Sequence, residues 1–397
     1  MKSRKLLAIP ALAVAFALSL AGCGGTADPD GSTGASGRGD LVLGILQEPA
    51  SWDPAQAHVG HRLQPFQANR AKFDAHQLPY READLIHEAA HQAIAALVNR
   101  DFHRRDVAVG LLDLEFVDLD RPVLQLHAAQ EALPGVPHYA IFDTAFFAHL
   151  PAEAYTYAID REVAQKLAIR RYGFHGTSHN YVSHTMAAFL GHHYDDLKMI
   201  VCHLGNGASV SAVAGGRPVE TSMGLTPLQG LVMGTRSGDI DPGVHAYLCR
   251  SGLSIDEVDT LLNKKSGMLG LCGRNDFRDV ATAIDEGDAD AKLAFDVYIH
   301  RLVGYIGNYM AILGGVDAVA FTAGVGENDD AVRAAVCGRL ANLGFHLDAD
   351  RNGVRSKHAR LISTDESPVK VLVVPTNEEL QMAREVRDAL SGNGVER

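Results

Sequence analysis

Along the chain, the pattern of apolar and polar positions changes character several times. Leu6 to Leu20 is an apolar run with a single proline, preceded by Lys2, Arg4 and Lys5. It is shorter than the roughly 20 residues a membrane-spanning helix needs and has the length of a signal-peptide core. Gly24 to Asp40 is rich in Gly, Ser and Asp with almost no apolar residue, the composition of a flexible tether. Leu41 to Ala57 opens as a short strand and runs on as an extended segment. Arg81 to Val98 sets Leu85, Ala89, Ala93 and Leu97 at helical spacing, which predicts an amphipathic helix. From about Arg121 onward, apolar strands alternate with Gly-rich turns and amphipathic helices, the pattern of an α/β fold.

Two strand–turn units in that last region can carry chemistry. Met199 to His203 predicts a strand entering Leu204-Gly205-Asn206-Gly207-Ala208-Ser209. Val210 to Ala214 predicts its partner, and Gly215-Gly216 the next turn. Such a turn lets backbone N–H groups approach phosphate oxygens with no side chain in the way, and Asn206 adds an amide donor. The same turn also closes ordinary hairpins. Val316 to Thr322 predicts a buried strand running into Ala323-Gly324-Val325-Gly326-Glu327-Asn328 and then a helix, a favourable place for a nucleotide. Neither unit has the Walker lysine or the spacing of the dinucleotide fingerprint.

Composition narrows the classes. With 47% hydrophobic and 21% charged residues, the 397-residue chain has ample apolar material for a core. Lys and Arg total 36 against 48 Asp and Glu, a net charge of −12, which argues against an extended basic surface for nucleic acid. Five cysteines without a CxxC pair exclude a disulfide framework and a zinc ribbon. His87-Glu88-Ala89-Ala90-His91 places two imidazoles one helical turn apart with a glutamate between them, the spacing of a zinc peptidase. No third ligand follows at a fixed distance, and a chain with 19 histidines also yields such a pentapeptide by composition alone.

Three stretches each resemble something different. Leu20-Ala21-Gly22-Cys23 resembles the bacterial lipoprotein box, with Cys23 as the lipid-bearing residue, and Leu41 to Ala57 resembles the start of mature solute-binding lipoproteins. The remainder is similar to the acetokinase family, which includes acetate, propionate and butyrate kinases, from roughly Ala128 to Arg384. The motifs that carry the likeness are PGVPHYAIFDTAF (134–146), RRYGFHGTSHNYVS (170–183), CHLGNGASVSAV (202–213) and ETSMGLTPLQGLVMGTRSGDIDPG (220–243). They continue with NKKSG (263–267), NDFRD (275–279), FTAGVGEN (321–328) and VPTNEEL (374–380).

The resemblance implies the actin-like ATPase fold of sugar kinases and chaperones, two βββαβαβα domains with ATP between them. It also implies reversible transfer of the γ-phosphate of Mg²⁺-ATP to acetate or another short-chain carboxylate, and a homodimer. By it, Arg236 contacts the carboxylate or the transferring phosphoryl, and His175 hydrogen-bonds that phosphoryl in the transition state. Asp143 and Glu378 organise the reacting group and Mg²⁺. Asp276, Phe277 and Arg278 contact adenosine; Gly324, Gly326 and Asn328 lie under the nucleotide; and Asn206 and Gly207 serve the phosphates. Taken singly, His175 and Asp143 are ordinary structural hydrogen-bonding residues, Arg236 a surface cation and Phe277 a core residue. Their joint occurrence in these motifs favours the nucleotide-site reading. His179 is expected to hold the loop that presents His175.

The likeness fails toward the N-terminus. The family's opening strand and Asn-Ala-Gly-Ser-Ser-Ser turn have no counterpart, and only Gly60-His61-Arg62 resembles its substrate-arginine segment, which leaves Arg62 as a weak substrate contact. The expected organisation is a signal peptide over 1–23, a tether and receptor-like segment over 24–57, an unassigned and partly helical stretch over 58–120, and a kinase-like region over 121–397. Its nucleotide-binding domain is largely complete and its N-terminal domain truncated or replaced. Impaired or absent catalysis is the expected consequence. The alternatives are an exported binding lipoprotein with a non-catalytic kinase-like domain, and a zinc peptidase on His87, Glu88 and His91. The implied locations conflict: a membrane-anchored lipoprotein by the N-terminal signal, cytoplasmic by the kinase likeness.

Overall fold

The structure, a computed structural model, describes residues 109–111 and 139–390. Cys23, Arg62, the His87-Glu88-His91 group, the helix expected over 81–98 and the boundaries drawn before residue 109 lie outside those residues.

The strands are β1 (Val109–Leu111), β2 (Tyr139–Ile141), β3 (Lys198–Leu204), β4 (Ala208–Ala214), β5 (Arg217–Thr221), β6 (Ala318–Thr322), β7 (Arg360–Leu361) and β8 (Lys370–Val373). The helices that shape the site are α1 (Gly176–Leu190), α2 (Ile255–Lys264), α3 (Gly267–Cys272), α4 (Phe277–Asp285), α5 (Ala289–Leu313), α6 (Ala323–Asn328), α7 (Asp330–Arg339) and α8 (Glu378–Leu390). β1 and β2 form a parallel pair. The main sheet has the order β5-β4-β3-β6-β8-β7. β3, β4 and β5 are an antiparallel meander, and β6 and β8 add to β3 in parallel. The short β7 closes the far edge antiparallel to β8. The expected hairpin over 199–214 is present, with Gly215-Gly216 as the turn into β5. The Ala323–Asn328 segment departs from expectation, because it is itself a helical turn where the sequence predicts a glycine loop leading to a helix.

The inner strands are apolar at nearly every position because both faces of the sheet are covered. Successive side chains alternate between the faces. Ile200, Cys202, Val210, Ala212, Val319, Phe321, Val371 and Val373 point to one side, where α5 lies with α3, α4 and α7. Met199, Val201, Val213, Ala318, Ala320 and Leu372 point to the other, against Val182, Met186 and Ala187 of α1. α8 packs on α1 on that side. Each large apolar side chain fully buried this way stabilises the fold by about 1.5–3 kcal/mol.

Helix starts follow local chemistry. Ser254 and Glu257 form a reciprocal capping box at α2, and Asp276, Asp288 and Asp329 cap α4, α5 and α7 through their carboxylates. Among the described residues, Arg333 of α7 is a cation inside the core, 2% exposed. It donates to the Gly326 carbonyl at 2.9 Å and to the Asn352 side-chain and main-chain oxygens at 2.7 and 2.8 Å. Burial pulls its pKa down to about 10, well above neutrality, so the guanidinium stays charged and ties α6 to the short helix Ala349–Gly353 that holds Asn352. Replacing Arg333 with Ala would strand three buried acceptors, so unfolding free energy should fall by roughly 3 kcal/mol or more in urea titrations.

Candidate active site

β3, β6 and β8 run parallel, so their carboxyl ends meet at one edge of the sheet, the edge where ligands of open α/β sheets collect. His203 sits level with Thr322 across β3 and β6, and Phe321 with Val373 across β6 and β8. The chain returns into β4 at this edge, and α1 begins there.

The start of α1 is built on Asp143, in the turn after β2. Its carboxylate accepts the His175 N–H and, at 3.2 Å, the Thr177 N–H, while its carbonyl accepts the Gly176 N–H at 2.8 Å. The helix N-terminus is therefore capped by a negative side chain from outside the helix, where the helix dipole favours an anion. His175 adopts φ +60°, the left-handed region that non-glycine residues seldom occupy. A Cβ at Gly176 would lie 2.1 Å from the Asp143 carbonyl oxygen, so this approach requires glycine. The resemblance implies that Asp143 organises the reacting group; its visible work is to hold His175.

Behind His175 lies a buried polar cluster. The His175 ring stacks on His203, with centroids 4.2 Å apart. His175 Nδ1 and His179 Nε2 both meet Ser209 Oγ, at 2.8 and 2.7 Å, and His179 Nδ1 meets Ser211 Oγ at 2.7 Å. His203 Nδ1 meets Ser178 Oγ at 2.8 Å, and that hydroxyl meets Thr376 Oγ1 at 2.8 Å. Burial, with His203 and His175 nearby, pushes the His179 imidazole well below its usual 6.5. The expectation that His179 holds the His175 loop agrees with these contacts. The parts that sequence reasoning does not single out are His203, Ser178, Ser209, Ser211 and Thr376. A signal is present in the period-two spacing of Ser209 and Ser211, which puts both hydroxyls on one face of β4.

The hairpin tip holds the arginine loop. The Asn206 carbonyl accepts the Gly234 N–H at 2.8 Å, and a Cβ at Gly234 would fall 1.9 Å from Asn206 Oδ1. Met233 and Arg236 lie against α3, where a Cβ at Gly267 would approach their carbonyl oxygens at 2.2 and 2.6 Å. Thr235 Oγ1 donates to the Asn263 carbonyl at 3.0 Å. Asp239 accepts from the Gly230 N–H at 3.0 Å and from Tyr305 Oη at 2.5 Å, which anchors the loop to α5. Arg236 itself is half-buried on this framework, with Nη1 3.9 Å from Met233 Sδ. The structure thus brings the LGNG and MGTR motifs into direct contact.

At β6, Ala323 takes φ +64°, and Glu327 binds the chain back on itself. Its Oε1 accepts the Ala323 N–H at 2.9 Å and the Thr376 N–H at 3.2 Å. Glu327 therefore joins the turn after β6 to the segment after β8 that leads into Glu378. Gly324 is exposed, and a Cβ there would meet nothing within 4 Å, so its backbone is open to approach. Gly326 is buried against Phe321 and Cys202, so it serves packing and not open contact. Asn328 Nδ2 donates to the Gly324 carbonyl at 2.9 Å. Glu378 is half-buried at the start of α8.

The expected adenosine group divides. Phe277 is 8% exposed and packs edge-on to Tyr298 at 4.7 Å, so its side chain belongs to the core. The Asp276 carboxylate caps α4 through the Arg278 N–H at 2.8 Å and pairs with the exposed Arg278 guanidinium. α4 lies on the sheet face opposite α1, so these three residues are outside the histidine cluster.

A family model described as the acetokinase family matches residues 120–384. The chain belongs to the acetokinase family. It is 59% identical over 267 residues to an acetate kinase of Leifsonia xyli subsp. xyli, covering 67% of each chain. Its fold resembles the crystal structure of Porphyromonas gingivalis acetate kinase, with TM-score 0.65 and 43% identity over 68% of each chain. It also resembles a propionate kinase from Francisella tularensis, with TM-score 0.63 and 43% identity over 66% of this chain and 67% of that one. The chain spans about two thirds of the length of the relatives it matches. The α/β fold is the actin-like ATPase fold, and from β3 to α8 the order is the βββαβαβα expected of one of its domains with one addition, the short edge strand β7 before β8.

A neutral, buried His179 should make the fold lose stability in acid. Its folded pKa lies below the unfolded value, so the unfolded chain binds the extra proton below about pH 6.5, and stability is lost as pH falls from there toward the folded pKa. This residue contributes a slope of at most about 1.4 kcal/mol per pH unit. Melting temperatures followed from pH 7.5 down to about 5 should show that loss. His179→Gln, less stable at neutral pH, should show a shallower one.

Proposed function

We propose that this chain is an ATP-dependent carboxylate phosphotransferase that converts ATP and acetate to ADP and acetyl phosphate, reversibly. The observation that carries the reading is the direct docking of the Asn206 hairpin on the Gly234–Arg236 loop, at the sheet edge where α1 presents His175. In the forward step a carboxylate oxygen attacks the γ-phosphorus, a P–O bond forms, the bond to the bridging oxygen breaks, and ADP leaves. Such transfers depend on alignment and on neutralising charge on the equatorial oxygens, with little covalent work for the protein.

Within this reading, Arg236 supplies a planar fork for the carboxylate or the transferring phosphoryl, and His175 a ring N–H for that phosphoryl. Asn206, Gly207 and the exposed Gly324 backbone serve the nucleotide phosphates. Mg²⁺ is usually held by one or two carboxylates together with phosphates and water, and the Glu378 carboxylate at the start of α8 suits that arrangement. When bound, the ion would neutralise phosphate charge. Asp143 acts by fixing the α1 terminus that carries His175, and the Asp276–Arg278 pair marks the adenosine side.

A hydroxamate assay with ATP, Mg²⁺ and acetate tests the reading. Acetyl phosphate should form, and Arg236→Ala should lower turnover by roughly 10²–10³-fold while ATP binding persists. ATP binding by the unmodified chain without any turnover would overturn it. Residues 1–23 support a separate reading, export with lipid attachment at Cys23. It rests on the positive start, the apolar run and the LAGC box, and it predicts that Cys23→Ser moves the chain from the membrane to the soluble fraction.

A further inference from the structure

The buried chain Ser211–His179–Ser209–His175 has a direction. Each hydroxyl carries one hydrogen, and a neutral imidazole carries one N–H. His179 is fully buried and neutral, so its two ring nitrogens play opposite roles toward the two serines. Two arrangements run in one sense along the whole chain; a third, in which His179 Nε2–H and His175 Nδ1–H both donate to Ser209, leaves the hydrogen of the 0% exposed Ser209 without an acceptor. In the first, Ser211 donates to His179 Nδ1, His179 Nε2–H donates to Ser209, and Ser209 donates to His175 Nδ1. In the second, every hydrogen reverses: His175 Nδ1–H donates to Ser209, Ser209 to His179 Nε2, and His179 Nδ1–H to Ser211.

The two differ at the far end. Ser211 is 0% exposed, and His179 Nδ1 is the partner its hydroxyl has. In the reversed arrangement the Ser211 hydrogen points at nothing, and a buried donor without an acceptor is costly. In the first arrangement the hydrogens of Ser211, His179 and Ser209 each have an acceptor. We propose that Ser211, His179 and Ser209 form a directed hydrogen-bond relay that fixes His175 in the tautomer with its proton on Nε2, making it a neutral hydrogen-bond donor. The value of that donor toward a phosphoryl oxygen rests on the phosphotransferase reading; the tautomer itself does not. Ser211, one histidine and one serine removed from His175, is a positioning residue.

Histidine tautomers are read directly from long-range ¹H–¹⁵N correlations, so the full chain labelled with ¹⁵N-histidine and free of nucleotide is the sample, at neutral pH. His175 is assigned by the signal lost in His175→Gln. The unmodified chain should show the Nε2–H form of His175 in roughly tenfold excess or more. Ser211→Ala leaves His179 Nδ1 without a partner in both arrangements, so the ratio should move toward unity, while Ser211→Thr, which keeps the hydroxyl, should preserve it. A His175 that is Nδ1-protonated or cationic in the unmodified chain overturns the relay, whether or not Ser211→Ala folds. So does a ratio unchanged in a folded Ser211→Ala. Because no substrate is present, an inactive chain with the Nε2–H form would sink the phosphotransferase reading alone.

Discussion

The grip of Asp143 on the first turn of α1 is the constraint on which the site depends. Three backbone N–H groups, those of His175, Gly176 and Thr177, are taken up by one residue from the turn after β2. A helix start leaves such donors without intrahelical partners, and here they are satisfied by a carboxylate and its own carbonyl. The cost is local: His175 is held in a left-handed conformation, and position 176 must lack a side chain. The consequence is placement. The His175 ring turns onto His203 and Ser209, and α1 then runs back along the sheet with Val182 and Met186 in the core. Strain at one residue is stabilised by the packing of the fifteen-residue helix behind it.

The sheet supplies the second half of the placement. β3, β6 and β8 end at one edge, and each connection leaving them is braced there by hydrogen bonds. Ser178 joins His203 to Thr376, Glu327 joins Ala323 to Thr376, and Asn206 joins the β3–β4 tip to Gly234. Most of these contacts join segments far apart in sequence, so the edge is braced by tertiary bonds. Arg333 extends the same bracing outward through the Gly326 carbonyl.

Much of the sheet is legible in the sequence. The β3–β4 hairpin and the strand before Thr322 announce themselves as apolar runs bounded by glycine, because strands buried on both faces have little use for polar residues. The AGVGEN segment reads as a loop because glycine weighs against helix in any local reading. There the tertiary bonds of Glu327 and the brace from Arg333 override that preference. The motif around Phe277 points to the nucleotide, yet its ring fills the core under α5, and a motif cannot tell a side-chain role from a backbone one. The buried cluster is only partly readable. His175 and His179 share a helix start, but His203, Ser209 and Ser211 reach them from β3 and β4, and no local period links a helix to a strand about 30 residues away.

The placement of polar groups in this core follows a rule of complete pairing. Four of them, His179, Ser178, Ser209 and Ser211, are 0% exposed on a face otherwise lined with Val, Met and Ala. Buried polar groups in such surroundings are tolerable only when each donor and acceptor is matched, and an arrangement that leaves one of them unmatched is costly in a low-dielectric core. That asymmetry gives the cluster its use. An apolar filling of the same space would pack as well but would leave the imidazole of His175 indifferent to its own orientation and tautomer. A serine on β4, two residues from the next, instead dictates which ring nitrogen of His175 carries hydrogen. Meanwhile Arg236 stands on a loop whose backbone is pinned to α2, α3 and α5, so a fixed cation and a fixed neutral donor are carried by two separately braced supports. Transfer of a phosphoryl group rewards that arrangement, since charge must be met where it develops and not after the protein has rearranged.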